Sequence, residues 1–425
     1  MFLLKYALLV FLFIFNFTIG PLGITSAELA GLFVMLAAVM SRSCREAILK
    51  YLVQTRCLHL SLFILGIYGV LLSSLWGPSE LIFGLIFVKL FISSIIAFSI
   101  IFFFRKDLQH RASITERDVI YSLFDVFFAA CFLQASTVIL SFLYPEIREV
   151  FNGIVAKRGN IDVDHPFRLR GLHDSGGFNL SVTLGIASVY GIYSGVVLGR
   201  RGFALRVVSS IFIVIALTLV GRTGLMVGIA GFVFLIFFRI QEFFRSKFIF
   251  SIVGFMLSVL ALNAIFPERF EFFNSVIFDY AFELFVNYEK GEGLTTESSD
   301  DLMTMLFIPD VLHLFFGNGS FDEVSLGVER SDSGYMKILL ASGLFGFIYF
   351  YAHLFFLVLW MARNIVSTGI EWMFFIFLIF VFLVCEVKGP VFVQNDTSRF
   401  FLLVVMIFFT IKKDGHTTSS CAKLS

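Results

Sequence analysis

The stretch L-I-F-G-L-I-F-V-K-L-F-I-S-S-I-I-A-F-S-I-I-F-F-F at residues 81–104 decides the class of fold. It carries one charged residue, Lys89, and it ends directly before Arg105 and Lys106. A helix of about 20 apolar residues crosses a hydrocarbon core about 30 Å thick. The whole chain shares this character, since it is 58% hydrophobic and 15% charged, whereas soluble domains are about 25% charged. The sequence therefore predicts an integral membrane protein.

Similar apolar runs recur along the chain and predict an all-α polytopic membrane protein with about twelve transmembrane helices. Strands of a membrane barrel would instead show alternating segments of about ten residues. The predicted spans lie near residues 3–20, 27–40, 59–76, 80–104, 119–143, 177–198, 207–220, 223–238, 248–266, 335–360, 370–385 and 399–411.

The spans divide the chain into consecutive predicted segments. These are 1–143 with spans one to five, 144–176 as a first outside loop, 177–266 with spans six to nine and the Arg222 turn, 267–334 as a large outside loop between spans nine and ten, 335–411 with spans ten to twelve, and 412–425 as a tail. Long outside segments are translocated largely regardless of their charge, so the large loop does not disturb this topology.

Lysine and arginine in the short connections predict the orientation. The connections 41–58, 105–117, 199–206 and 239–247 are basic, and so is the tail. Cytoplasmic connections carry such an excess of positive charge, so both termini are predicted to be cytoplasmic. The formal net charge of +1 argues against nucleic acid as a partner.

Three arginines stand on the opposite side of this topology, where the charge bias makes them unexpected. Arg168 and Arg170 lie in F-R-L-R-G-L-H-D-S-G-G-F-N (167–179), together with His173, and Arg222 lies in T-L-V-G-R-T-G (218–224). A guanidinium near a membrane needs a partner, and a diphosphate suits its bidentate geometry. We expect these residues to bind a lipid-linked phosphate. The alternative is that Arg222 pairs with an acidic residue or a lipid headgroup as a structural anchor.

A second candidate cluster lies at the end of the large loop, in V-E-R-S-D-S-G-Y-M-K (328–337). Asp332 is a candidate general base, Tyr335 is a candidate for stacking on a sugar ring, and Arg330 and Lys337 are candidates for binding phosphate. The alternative is an ordinary helix start that is capped by Asp332 or Ser333. Farther along, Glu386 and Lys388 are interpreted as partners of each other. The spacing of acidic, histidine and cysteine residues gives little support for a metal site, and no cofactor is expected.

These motifs resemble those of the bacterial O-antigen polymerase and O-antigen ligase superfamily. The resemblance rests on R-L-R-G (168–171), L-V-G-R-T-G-L (219–225), L-F-F-G-N-G-S-F (314–321) and D-S-G-Y-M-K-I-L-L-A-S-G-L-F-G (332–346), and on their order around the large loop. Ligases of the family typically have a histidine just before the span that follows this loop. Here Asp332 and Ser333 stand there instead, which favours the polymerase branch.

The resemblance implies a glycosyltransferase of O-antigen and lipopolysaccharide biosynthesis in the bacterial inner membrane. It would join oligosaccharide repeat units carried on undecaprenyl diphosphate at the periplasmic face, with Arg168 and Arg222 holding the diphosphate and Asp332 activating the acceptor. The lipid-linked glycan and membrane lipids are its expected partners, and a chain-length regulator is a candidate partner. The alternatives are an O-antigen ligase that transfers glycan to lipid A-core, or a flippase for the lipid-linked unit. A flippase would be expected to carry charged residues inside several spans, but the spans are interpreted as nearly free of charge apart from Lys89.

Overall fold

The computed structural model describes most of the chain, in ranges separated by short gaps and a few longer ones. These are residues 2–20, 23–76, 82–110, 115–155, 169–174, 177–200, 202–245, 263–265, 267–272, 283–291, 293, 296–319, 321, 331–368, 372–393 and 395–411. The predicted ninth span, near 248–266, therefore lies almost entirely outside the described residues.

Helices make up nearly all of this described part, as long apolar runs require. A two-stranded antiparallel ribbon, β1 (Thr18–Ile19) with β2 (Ile24–Thr25), is the described sheet. The helices are α1 (Phe2–Ile14), α2 (Ser26–Met40), α3 (Arg42–Gln54), α4 (Arg56–Trp76), α5 (Ile82–Gln109), α6 (Glu116–Leu143), α7 (Pro145–Ile154), α8 (Gly177–Ile192, continued by a π-helical turn, Tyr193–Val197), α9 (Phe203–Val220), α10 (Arg222–Arg245), α11 (Pro267–Phe272), α12 (Glu283–Glu289), α13 (Glu297–Thr304), α14 (Val311–Phe316), α15 (Gly334–Thr368), α16 (Trp372–Glu386) and α17 (Asn395–Ile411).

Seven of the described helices are long and apolar enough to cross a membrane. They are α4, α5, α6, α8 with its π-helical turn, α9, α10 and α15, and an eighth span results if α2 and α3 count as one span bent by 106°. This confirms the class, an all-α multi-pass membrane protein. The predicted total of twelve spans and the large loop stay predictions, because α1 and α16 are apolar but shorter than a full span.

The chain forms two compact units, each built from two separate parts of the sequence. Unit 1 contains Met1–Ala30 and Tyr121–Thr296, and unit 2 contains Gly31–Ile120 and Glu297–Ser425. Each compact unit therefore combines segments from the two halves of the chain.

Helix α8 forms the centre of unit 1, and all but its first two residues are buried. Small residues allow this, because α9 and α10 approach α8 at backbone distance. A Cβ added at Gly177 would come closer than 3.0 Å to the carbonyl oxygen of Val220, and one at Gly224 would do the same at Ser181. Such close approach is how small residues hold membrane helices together.

Helix α15 of unit 2 is broken near its beginning. Gly343 has φ +64°, a left-handed conformation inside the helix that favours glycine. The break leaves carbonyl groups of the preceding turn open, and the segment after α14 fills the gap. The amide of Asn318 donates to the carbonyl of Leu340 at 2.8 Å, and that of Gly319 donates to Ala341 at 3.0 Å. The two motifs at 314–321 and 332–346 therefore meet at this break.

Candidate functional site

Arg222 begins α10, and the single residue Gly221 separates it from the end of α9. Its side chain is only 10% exposed, and its guanidinium forms an ion pair with the carboxylate of Glu283, the first residue of α12. Glu283 belongs to the predicted large outside loop, and its side chain is 22% exposed. The structure therefore shows the contact that the alternative interpretation of Arg222 expects, an ion pair with an acidic residue. A phosphate at this position would have to replace the glutamate.

The beginning of α10 is itself suited to an anion. The first amide groups of a helix have no partner within the helix and carry partial positive charge. The position of this helix end is fixed by α8, since the amide of Gly224 donates to Ser181 Oγ at 3.2 Å. On the other side of the turn, the amide of Gly221 donates to the carbonyl of Leu217 at 3.0 Å. The turn thus holds Arg222 at a defined place over a positively polarised helix end.

The first arginine motif lies beside this turn. The amide of Leu169 donates to the carbonyl of Leu219 at 2.9 Å, three residues before Arg222. Arg168 lies outside the described residues. Arg170 is tied to its own loop, because its guanidinium donates to the carbonyl of Asp174 at 3.3 Å and its carbonyl accepts from Gln134 Nε2 at 2.7 Å. The structure therefore brings the two arginine motifs together through the backbone.

His173 and Asp174 face the interior of unit 1. Both are buried, and the Asp174 carboxylate accepts hydrogen bonds from the amide of Thr18, at 2.7 Å, and from the Thr18 hydroxyl. A cavity of about 30 Å³ adjoins them, which is room for one water molecule but not for a sugar ring. His173 is thus packed inside its loop. Among the residues described there, no cavity beside it is large enough for a sugar.

Three candidates from the second motif lie together at the start of α15 in unit 2. Asp332 is exposed, and Lys337 is buried with its ammonium 5.5 Å from the centre of the Phe321 ring. The hydroxyl of Tyr335 donates to the carbonyl of Leu383 at 3.0 Å. Lys337 and Tyr335 therefore both make contacts within the unit. Arg330, the remaining candidate, lies outside the described residues.

Glu386 lies beneath this helix start and was not among the predicted site residues. It is fully buried, and its carboxylate accepts hydrogen bonds from the Tyr351 hydroxyl at 2.9 Å and from the amides of Val391 at 2.6 Å and Phe392 at 3.3 Å. A Cβ at Gly334 would come closer than 3.0 Å to this carboxylate. The sequence offered one indication of this site. In C-E-V-K-G-P (385–390) an acidic residue directly precedes a turn in apolar surroundings, which is typical of a carboxylate bound by backbone amides.

The sequence predicted spans nearly free of charge apart from Lys89, and a charged cluster inside unit 1 corrects this prediction at Asp125. Asp125 of α6 forms ion pairs with Arg200 and Arg206, each at 2.6 Å, and accepts a hydrogen bond from the Tyr190 hydroxyl at 2.9 Å. Because Asp125 stands in the apolar run 119–143, its position alone could have indicated a buried ion pair. The cluster lies at the end of α8 opposite to the Arg222 turn, beside the π-helical turn.

The candidates thus form one group in each unit. The described residues contain no cluster of three or more histidine, cysteine or acidic side chains that would suit a metal ion. No family model, no curated protein and no solved structure matches this chain.

Proposed function

We propose that this protein is a polysaccharide polymerase of the bacterial inner membrane, which joins undecaprenyl-diphosphate-linked repeat units at the periplasmic face. The observation that carries the proposal is the place of Arg222. It is nearly buried, begins the long apolar helix α10, and meets a carboxylate of the predicted outside loop. An anion bound at the start of α10 would be stabilised both by the partial positive charge of the helix end and by the guanidinium of Arg222.

The proposed reaction is a glycosyl transfer in which the lipid diphosphate leaves. A hydroxyl of the acceptor glycan attacks the anomeric carbon of the donor, a new glycosidic bond forms, and the bond from that carbon to the diphosphate oxygen breaks. Negative charge grows on the leaving diphosphate, and Arg222 with the first amides of α10 would stabilise it there. Arg168, one residue before the described loop that contacts Leu219, is proposed as a second phosphate ligand.

The acceptor hydroxyl loses its proton during this step, so a base is needed. Asp332 is the proposed base because it is exposed at the start of α15. Among the described residues, Glu386 is a second carboxylate near that helix start, but it is buried and already accepts three hydrogen bonds. We assign Glu386 the structural task of holding the turn at Val391 and Phe392 against α15.

The two alternatives remain an O-antigen ligase and a flippase. Asp332 and Ser333 stand where a ligase typically has histidine, which supports the polymerase. The Asp125 cluster does place charge among the spans, as a flippase would require, but its arginines and Asp125 bind one another. The glycan profile of a strain that lacks the gene separates the three. Loss of a polymerase leaves single repeats on lipid A-core, loss of a ligase leaves none, and loss of a flippase strands units on the cytoplasmic face.

Replacing Arg222 tests the site directly. We expect Arg222→Ala to abolish long-chain polysaccharide at normal protein level, because removal of one charge-stabilising donor typically costs about 100-fold or more in rate. Arg222→Lys should restore little, because lysine lacks the bidentate fork. Arg239→Ala is the matched control, since Arg239 stands near the other end of α10 and pairs with Glu242 at 3.0 Å. Normal chain length in Arg222→Ala would show that this role is wrong.

A further inference from the structure

A cavity of about 300 Å³ opens in unit 2 where α3, α5 and α17 meet. Three cations line it, Lys50 from α3 and Arg105 and Lys106 from α5. None of the described residues that line this cavity is acidic. Its charge is therefore of one sign, although the chain as a whole carries a net charge of only +1.

The floor of this basic cavity is aromatic. The ring of Tyr51 stacks on Phe98, with ring centres 4.5 Å apart and planes inclined by 15°, and the edge of Phe409 meets Tyr51 at 5.8 Å. Phe409 stacks in turn on Trp360 at 4.2 Å. Tyrosine and tryptophan, here Tyr51 and Trp360, are enriched at the boundary between membrane and water, because their rings are apolar but carry a polar group. The cavity thus joins a cationic wall to a packed apolar floor.

Two simpler explanations account for only part of this charge. Arg105 donates to the carbonyl of Thr410 in the last turn of α17, so it satisfies a helix end that would otherwise lack donors. Arg42, also on α3, lies outside the cavity lining and pairs with Glu46 at 3.0 Å. Neither explanation applies to Lys50 or Lys106, which are exposed and line the cavity.

We propose that the basic cavity binds an anionic phospholipid. Its headgroup phosphate would lie against Lys50, Arg105 and Lys106, and the beginning of its acyl chains would lie against Phe102 and Phe409. Basic pockets between membrane helices on the cytoplasmic side bind such headgroups. The cavity lies at helix ends next to the connections 41–58 and 105–117, whose positive charge predicts that side. This inference does not depend on the proposed polymerase activity.

Lipid titration of the purified, delipidated full chain tests the proposal, with bound lipid counted by native mass spectrometry. We expect one phosphatidylglycerol to bind more tightly than phosphatidylethanolamine. The triple variant Lys50→Gln, Arg105→Gln, Lys106→Gln should weaken phosphatidylglycerol binding by about 100-fold, as expected for the loss of three cations near a membrane surface. The double variant Lys50→Gln, Lys106→Gln keeps the Arg105 contact with Thr410 and should still lose about tenfold or more.

A matched triple variant separates a site from general surface charge. Arg42→Gln, Arg117→Gln, Arg363→Gln removes the same charge from exposed residues outside the cavity, and it should change binding by less than about twofold. Equal loss in both triple variants, or equal binding of the two lipids to the native chain, would overturn the proposal. Displacement of the lipid by inorganic phosphate alone would also overturn it, because the ligand would then be a free anion.

Discussion

Two arginine–carboxylate pairs lie at opposite ends of α8, and they differ in the origin of the carboxylate. Asp125 is held by α6 and by the Tyr190 hydroxyl, and two arginines converge on it. Arg222 meets Glu283, which a short helix of the large outside segment supplies. The first pair is part of the packing between long helices. The second joins the turn at Gly221 to a separate short helix, and under the proposed function the donor phosphate displaces this carboxylate from Arg222.

The largest expected effect comes from breaking the first pair. Asp125→Ala should lower the free energy of unfolding by about 3 kcal/mol, because it leaves two poorly exposed guanidinium groups without their carboxylate. Detergent-induced unfolding of the purified protein measures this. Glu283→Ala, the corresponding change in the second pair, leaves one nearly buried guanidinium without its carboxylate and not two, so it should cost less, about 2 kcal/mol. Equal losses from the two variants would show that the pairs do not differ in the way proposed.

The second effect concerns the seam that fixes Arg222. Gly224→Ala places a methyl group against the backbone of Ser181, closer than 3.0 Å, so α8 and α10 must separate. Overpacking of this kind costs about 2 kcal/mol, and displacement of Arg222 should also shorten the polysaccharide. The unfolding free energy and the glycan profile are both measured.

Gly153→Ala is the matched control in the same unit, because nothing lies within 4 Å of the added methyl group. It should leave both measurements unchanged or raise stability slightly. If Gly224→Ala behaves like Gly153→Ala, the close contact of α8 with α10 does not fix the turn.

The same comparison shows what the sequence could predict. A long apolar run is enough by itself to predict a helix, so the predicted spans 119–143 and 177–198 match α6 (Glu116–Leu143) and α8 with its π-helical turn (Gly177–Val197) closely. The helices α5 and α15 were also predicted, but they extend to Gln109 and Thr368, beyond the predicted ends at 104 and 360. The turn at Gly221 was also predicted, because two spans meet there with no room for a loop. Hydropathy treats each run separately, however, and so it cannot tell which distant side chain an arginine will meet. Asp125 with Arg206, and Arg222 with Glu283, are contacts that only the packing of separate segments creates.

The break in α15 was beyond prediction for a related reason. The run 335–360 is apolar apart from Lys337, His353 and small residues, so it was predicted as one span, and Gly343 alone does not reveal an interruption. Only the docking of Asn318 and Gly319 onto the open carbonyls of Leu340 and Ala341 stabilises the break. The contacts of Glu386 were not predicted for the same reason. Its carboxylate accepts hydrogen bonds from two backbone amides and from Tyr351, whereas the sequence suggested Lys388 as its partner.

The smallest expected effect is also the most specific test of the second pair. Glu283→Gln keeps the size of the side chain and removes the charge that occupies Arg222. Because the amide oxygen of glutamine can still accept a hydrogen bond from the nearly buried guanidinium, the free energy of unfolding should fall by only about 1 kcal/mol. If the glutamate competes with the donor diphosphate, the half-saturating concentration of lipid-linked repeat unit should fall by about twofold to fivefold.

A polymerisation assay with the purified protein in vesicles measures that concentration. Glu289→Gln, at the other end of α12, is the control and should leave it unchanged, because Glu289 is exposed. Loss of activity in Glu283→Gln as severe as in Arg222→Ala would mean that the carboxylate assists the reaction and does not compete with the substrate. The two ends of α8 would then both depend on fixed carboxylates, and the distinction between a structural pair and a displaceable one would fail.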